Sequence, residues 1–385
     1  MEKETIPLMF GGYMSCLNGI RNLGFIKRQM QNRKKILFVL PNLCAGGAER
    51  VLSFVSQKLN TNNFDVKLIV LGFKKDAVYN VNEVEVQYLN KERLLTSIIA
   101  LFCLFKKEKP SIVISSIVHV NITMGFFSLF FREIKFVGRE ASVISKMNEF
   151  SKLNSKLNLT LIKIFYPRLS AIICQSEDMK TDFIKILRLD SSKLVLIHNP
   201  VTQSFISALS NNFGNKINFI TVGRLSEEKG YLRILEGLSK IYNYDFHYTI
   251  VGSGPQLEDL KDCVSNYKLN GKVSFIPYTS KVLEEVSKND FFLQGSYVEG
   301  FPNALLESCT VGTPVIAFNC PGGTKDIVIT GANGFLVQDE LEFIAVLNNI
   351  DKLKTIDKNA VRMSVSSKFN AEKIVRKYEN LFEQL

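Results

Sequence analysis

The sequence predicts an α/β protein of two doubly wound, Rossmann-like domains facing a central cleft. Three observations predict it. At 385 residues and 43.6 kDa the chain exceeds one ordinary hydrophobic core. Short β-branched runs alternate with segments of helical length, the rhythm of parallel βαβ units. That rhythm breaks once, at 198–215 ("HNPVTQSFISALSNNFGN"), where proline, asparagine and serine gather and the charge balance changes sign.

In order along the chain, residues 1–33 form an extension without periodicity, and their first 29 residues show neither a signal-peptide layout nor a cleavage region. The first domain, 34–199, carries the strand candidates 36–40, 66–73, 111–117, 134–138, 171–176 and 193–199. The second, 200–370, carries 217–223, 246–252, 273–278, 290–296, 314–319 and 334–337. Residues 371–385 place Ile374, Val375, Tyr378, Leu381 and Phe382 on one face of a helix that can pack on either domain.

Composition narrows the function classes. A hydrophobic fraction of 46% with 22% charged residues describes a globular chain. The seven cysteines are scattered and never spaced as C-x-x-C, which argues against a disulfide framework or a zinc site and for a cytoplasmic protein. The longest apolar run, 94–105, is too short to span a bilayer. Of the net charge of +11, residues 1–200 hold 29 Lys and Arg against 16 Asp and Glu, leaving 19 against 21 in the rest. A basic half can attract nucleic acid, anionic lipid or a phosphorylated substrate, or serve solubility alone. No aromatic-rich basic motif of the RNA-binding sort occurs, so nucleic acid is not the expected partner.

The chemistry is concentrated at the carboxyl ends of predicted strands, where open α/β sheets bind ligands. Gly46 and Gly47 in "NLCAGGAER" follow the first strand and precede a helix, either to let backbone amides approach a phosphate or simply to turn. Arg224 and Lys229 in "VGRLSEEKG" can neutralise a diphosphate or stand as solvated cations. In "YVEGFPNALLES", Glu299 lies in a loop, Pro302 suits the first turn of a helix, and Glu307 falls one to two turns inside it. Two acids so separated cannot serve one atom. The free amides of Gly300, Phe301, Asn303, Ala304 and Leu305 suit phosphates, leaving Glu299 for hydroxyls of a sugar and Glu307 for those of a ribose.

Taken together, "EGFPNALLE", "GGAER", "GRLSEEKG", "GSGP" (252–255), "HNP" (198–200), "GTPVIAF" (312–318) and "GANGFLV" (331–337) resemble, in order, family 4 of the retaining glycosyltransferases of the bacterial surface-polysaccharide type. The resemblance spans residues 34–385. It implies the two-domain glycosyltransferase B architecture, with the donor held by the second domain and the acceptor by the first. It also implies that the last helix crosses back to the first domain. Carried over by motif, Arg224 and Lys229 contact the donor diphosphate, Glu307 the ribose and Glu299 the transferred sugar, while Gly254 joins the donor site and Gly46 and Gly47 close over it. His119, in "SSIVHVNI", is by itself a structural histidine more often than a catalytic one; the resemblance implies that it faces the donor sugar.

Arg139 and Glu140 follow the strand at 134–138 and either bind the acceptor or pair locally, with local pairing slightly favoured. "GGTKDI" (322–327) can contact the donor sugar or form a turn. No D-x-D motif occurs, so Arg224, Lys229 and helix-end amides, and no metal, are expected to stabilise the leaving diphosphate. No cofactor is expected beyond the nucleotide-sugar, for which UDP is the prior choice. The expected acceptor is a glycan of the lipid-linked kind that relatives use, met at the inner face of the plasma membrane by cations and shallow apolar insertion. Rival readings are a nucleotide-sugar epimerase of the same architecture and a non-catalytic nucleotide-sugar-binding protein.

Overall fold

A computed structural model describes residues 33–146, 155–203 and 216–385. Most of the expected extension and most of the interdomain linker therefore lie outside the described residues. The strands are β1 (Lys34–Leu40), β2 (Phe64–Val70), β3 (Glu85–Tyr88), β4 (Ile112–Ser116), β5 (Lys135–Arg139), β6 (Ala171–Cys174), β7 (Leu194–Leu196), β8 (Lys216–Val222), β9 (Asp245–Val251), β10 (Val273–Ile276), β11 (Phe291–Gln294), β12 (Val315–Phe318) and β13 (Gly334–Val337).

They form two wholly parallel sheets, β3-β2-β1-β4-β5-β6-β7 and β10-β9-β8-β11-β12-β13. Each is flanked by helices, giving two Rossmann-like domains that face a cleft. In both sheets the order reverses beside the first strand, so the crevices open between β1 and β4 and between β8 and β11.

Alternation along β1 explains the layering. Leu37 and Val39 join a core with Leu101 and Phe105 of the helix Leu94–Glu108 and Met124 and Phe127 of the helix Val118–Phe127. Ile36, Phe38 and Leu40 enter the opposite core with Val51, Leu52 and Val55 of the helix Gly47–Lys58. Successive side chains of a strand point to opposite faces, and a parallel sheet buries both, so the strand must be apolar throughout. β3 escaped the sequence reading because "EVQY" is an edge strand without that signature.

The helix Ala371–Gln384 completes the second of these cores. Ile374, Val375, Tyr378, Leu381 and Phe382 are buried there, and the Phe382 ring packs edge-on to Phe38 and Phe64 at 6.3 and 6.2 Å. Lys34 Nζ donates to the carbonyls of Phe382 and Glu383 at 2.9 Å each, placing a cation where the helix's carbonyls are unpaired.

The two domains touch beside the cleft. Lys325 Nζ meets Asp178 Oδ1 at 2.6 Å, and the Gly322 amide donates to Asp178 Oδ2 at 3.1 Å. His198, Phe301 and Phe369 form a ring cluster with centroids 5.4–5.7 Å apart, and His198 Nε2 lies 3.6 Å from Asp326 Oδ2.

Candidate active site

The loops after β8 and β11 are stitched together from backbone outward. The 3₁₀ turn Glu227–Lys229 ends at Gly230, whose φ of +61° and close approach to Gly295 leave no room for a side chain: a Cβ would sit 1.9 Å from the Gly295 carbonyl oxygen. From the helix Tyr231–Leu238, Arg233 Nε donates to the Gly295 carbonyl at 2.6 Å and Nη2 to that of Ser296. Its guanidinium lies between the Tyr297 and Phe318 rings, 4.1 and 3.7 Å from their centroids.

This clamp brings Lys229 and Glu299 together. Lys229 Nζ meets Glu299 Oε1 at 2.7 Å, and Ser296 Oγ donates to the same oxygen at 2.6 Å. Arg224 stands differently: its side chain is 70% exposed and paired with Glu228 Oε1 at 2.9 Å. Burial of Glu228 opposes ionisation, but the Ser226 hydroxyl, the backbone and Arg224 outweigh it and hold that carboxyl below its ordinary range. Gly254 packs on the Leu225 backbone, so the "GSGP" loop buttresses the Arg224 loop.

Pro302 caps the helix Asn303–Thr310, standing just before the first turn in which the sequence placed it. Among the described residues no carbonyl accepts the amides of Gly300, Phe301, Asn303, Ala304 and Leu305. The first internal bond of that helix runs from the Leu306 amide to the Pro302 carbonyl. Unpaired amides at a helix start favour an anion. Glu307 sits in the second turn, buried, with burial raising its pKa against the opposing pull of Arg50.

From the first domain, the Gly46–Gly47 turn opens the helix Gly47–Lys58 directly over this region. A Cβ on Gly47 would lie 2.8 Å from Asn303 Nδ2, and one on Gly300 would lie 1.9 Å from the Ala141 carbonyl oxygen. The Gly46 carbonyl accepts the Tyr79 hydroxyl at 3.0 Å, and burial pushes that phenol up to about 12.

His119 follows β4 at the start of its helix, two residues after Ile117, whose φ of +76° is costly for a β-branched side chain. The imidazole is open to solvent, yet partial desolvation lowers its pKa, favouring the neutral ring. Arg139 is not on the cleft surface: it has no exposed area and donates to Ser116 Oγ and Asn199 Oδ1. Asn199 Nδ2 in turn donates to Asn303 Oδ1 at 2.8 Å, so Arg139 reaches the site only through two asparagines. Glu140 is equally buried; it accepts the Tyr166 hydroxyl at 2.6 Å and the Ala141 amide at 2.8 Å, and desolvation raises its pKa despite these bonds.

Two family models cover this framework: Glycosyltransferase Family 4 matches residues 45–205 and Glycosyl transferases group 1 matches residues 203–368. The chain is a glycosyltransferase of the GT-B fold. It is 23% identical over 361 residues to the Campylobacter jejuni N-acetylgalactosamine-N,N'-diacetylbacillosaminyl-diphospho-undecaprenol 4-alpha-N-acetylgalactosaminyltransferase, covering 89% of this chain and 98% of that one. It is 28% identical over 309 residues to the Escherichia coli UDP-Gal:alpha-D-GlcNAc-diphosphoundecaprenol alpha-1,3-galactosyltransferase, covering 75% and 79%. Among solved structures, Anabaena Alr3699/HepE in complex with UDP-glucose superposes with a TM-score of 0.74 at 18% identity, over 91% of this chain and 100% of that one.

The candidate site also contains residues that sequence reasoning missed. Arg50, the last residue of "GGAER", meets Glu307 Oε1 at 2.6 Å from the opposite domain. Arg233 and Ser296 support Glu299, and Asn199 links the linker to Asn303. Arg50 could have been found from its motif; Arg233 and Asn199 act through backbone and amide contacts that leave no pattern in sequence. A cavity of about 310 Å³, lined by Lys35, Lys67, Glu85 and Glu108 among others, lies at the amino ends of β1–β3, remote from this chemistry. Its charges are already paired with one another.

Proposed function

We propose that this glycosyltransferase belongs to family 4 and transfers a hexose or N-acetylhexosamine, with retention of configuration, from a UDP-sugar to a lipid-linked glycan in surface-polysaccharide or lipopolysaccharide synthesis. The observation that carries the reading is the triad of Lys229, Glu299 and Ser296 beside five unpaired amides, with Glu307 buried one turn further along. The names of the Campylobacter and Escherichia relatives support diphosphoundecaprenol-linked acceptors, and the second supports UDP.

In this reading Glu299 orients the sugar's hydroxyls, Glu307 accepts those of the ribose, and Lys229, Arg224 and the amides of Gly300 to Leu305 hold the diphosphate. Fixed cations and amide dipoles stabilise the charge that grows as the anomeric C–O bond breaks, without a metal. The acceptor hydroxyl oxygen bonds the anomeric carbon on the face the diphosphate leaves, and its proton passes to a departing phosphate oxygen. His119, kept neutral, hydrogen-bonds the sugar, while Gly46 and Gly47 close the site.

The membrane-facing part of the proposal rests on the first domain. Leu95 and Ile99 are each 78% exposed on one face of the helix Leu94–Glu108. Phe130, also exposed, packs edge-on to Phe102 and Phe126 nearby. Arg93, Lys106 and Arg132 are exposed on or beside the same segments. Apolar side chains between cations match an anionic bilayer, where each well-placed cation adds about 1 kcal/mol. Among the described residues no helix is long and apolar enough to cross a membrane.

The test is nucleotide release from UDP-, GDP- and ADP-sugars, with and without membrane extract and with excess chelator. Extract-dependent release from a UDP-sugar in chelator is expected; release only on adding Mg²⁺ or Mn²⁺ would remove the metal-free mechanism, and no release from any donor would remove the transferase reading. Flotation with vesicles of increasing anionic lipid should recover more protein at low salt, and Leu95→Asp with Ile99→Asp should abolish the gain.

A further inference from the structure

We propose that Arg50 is a positioning residue for the donor that acts through Glu307: its guanidinium pairs with the ribose-binding carboxylate across the cleft, and the nucleotide must displace it. This rests on the reading of Glu307 as the ribose acid.

Arg50 belongs to the helix Gly47–Lys58 of the first domain and Glu307 to the helix Asn303–Thr310 of the second, and their 2.6 Å contact bridges the cleft. The Glu307 side chain is only 9% exposed and Arg50 Nη1 sits on its Oε1, so a ribose diol cannot take both carboxylate oxygens without displacing the guanidinium. A carboxylate offers about four lone-pair positions, and a diol takes the same ones as a guanidinium. Arg50 is also an incomplete partner: its Nε is buried with no acceptor among the described residues. A guanidinium satisfied on one side gives up its contact more readily than one clamped throughout.

The close seating of Gly47 on Asn303 means that Arg50 and the glycine turn sit on the donor helix together. Displacing the Arg50 guanidinium is by itself enough to free Glu307. The apparent dissociation constant equals the intrinsic one divided by the fraction of molecules in the competent state. The ion pair lowers that fraction before the donor arrives and so sets a threshold for nucleotide binding. It also explains why a cation belongs beside two glycines: the motif both closes over the donor and guards the empty site.

The experiment is calorimetric titration of the full chain with UDP (GDP, should the donor panel select it) and separately with inorganic pyrophosphate, which lacks ribose. Arg50→Met should bind the nucleotide roughly tenfold more tightly than wild type, as expected when a minor competent state becomes the major one. Pyrophosphate affinity should change much less, because pyrophosphate does not compete for Glu307. Arg50→Lys, which keeps a cation in reach of Glu307, should stay near wild type and guards against a folding defect in the methionine variant. Unchanged or weaker nucleotide binding by Arg50→Met overturns the proposal, as does an equal gain for pyrophosphate. Glu307→Gln separates the two readings: if it leaves nucleotide affinity intact, the ribose assignment fails; if it weakens binding while Arg50→Met brings no gain, only the role of Arg50 fails.

Discussion

Lys229 Nζ and Glu299 Oε1 lie 2.7 Å apart, although 70 residues separate them and each stands in a loop after a different strand. The strands, β8 and β11, are the two that flank the second sheet's crevice. Each group satisfies the other, so neither is an unpaired charge in a half-buried site. Lys229→Ala is expected to lower kcat roughly 10²-fold, since it removes a cation from the leaving diphosphate and leaves Glu299 without its partner. Because the residues share a contact, Lys229→Ala and Glu299→Ala should be non-additive in a double-mutant cycle of kcat/KM. Additive losses would show that the pair does not act as a unit.

Arg224 offers a cleaner probe of ligand contact because the fold does not depend on it. Its exposed pair with Glu228 is of the kind that contributes little to stability. Arg224→Ala should leave the melting temperature unchanged and still cost roughly 10²-fold in kcat. Near-normal turnover would place Arg224 outside the site.

Glu307 and Glu299 should separate kinetically. Ribose hydroxyls do not change during transfer, so Glu307→Ala is expected to raise the donor KM far more than it lowers kcat, whereas Glu299→Ala should strike kcat. A KM-only effect in both variants would contradict this division of roles.

Arg233 holds two carbonyls of the loop that carries Ser296 and Glu299 without lining the ligand side itself. Arg233→Met keeps an unbranched apolar side chain but loses the guanidinium's contact with the Tyr297 and Phe318 rings and both hydrogen bonds, each worth about 1.5–3 kcal/mol for a charged donor. Turnover should fall with little change in donor KM, and Arg233→Lys should recover part of it. A proportional rise of KM would mean that the clamp serves binding instead.

Glu140 gives a pH signature. Burial raises its folded-state pKa above the unfolded value, so folding favours the protonated acid. Its stabilising contribution is complete below the ordinary carboxylate range and is lost as pH rises through the raised folded value. Wild type should therefore lose melting temperature more steeply than Glu140→Gln as pH rises above the ordinary carboxylate range. Parallel melting curves across that range would show that the carboxyl ionises alike in both states.

The sequence by itself determined the architecture and the position of most candidate groups in the chain. Apolar runs such as "ILFVL" must be strands of a parallel sheet, because only burial on both faces accepts five consecutive large apolar side chains in a strand. Motif glycines and charges at the ends of those runs then fall at the crevices by topology alone. What the tertiary structure decided were the pairings between distant loops. Arg50 with Glu307 and Lys229 with Glu299 join residues hundreds or tens of positions apart, and no periodicity records such a distance. Arg139 shows the same limit from the other side: at the end of a strand beside the cleft it reads either as a ligand group or as a locally paired one, and only the fold shows it fully buried on Ser116 and Asn199. Strand order sets where a side chain starts, whereas burial and available hydrogen-bond partners set where it ends, and these depend on elements remote in the chain.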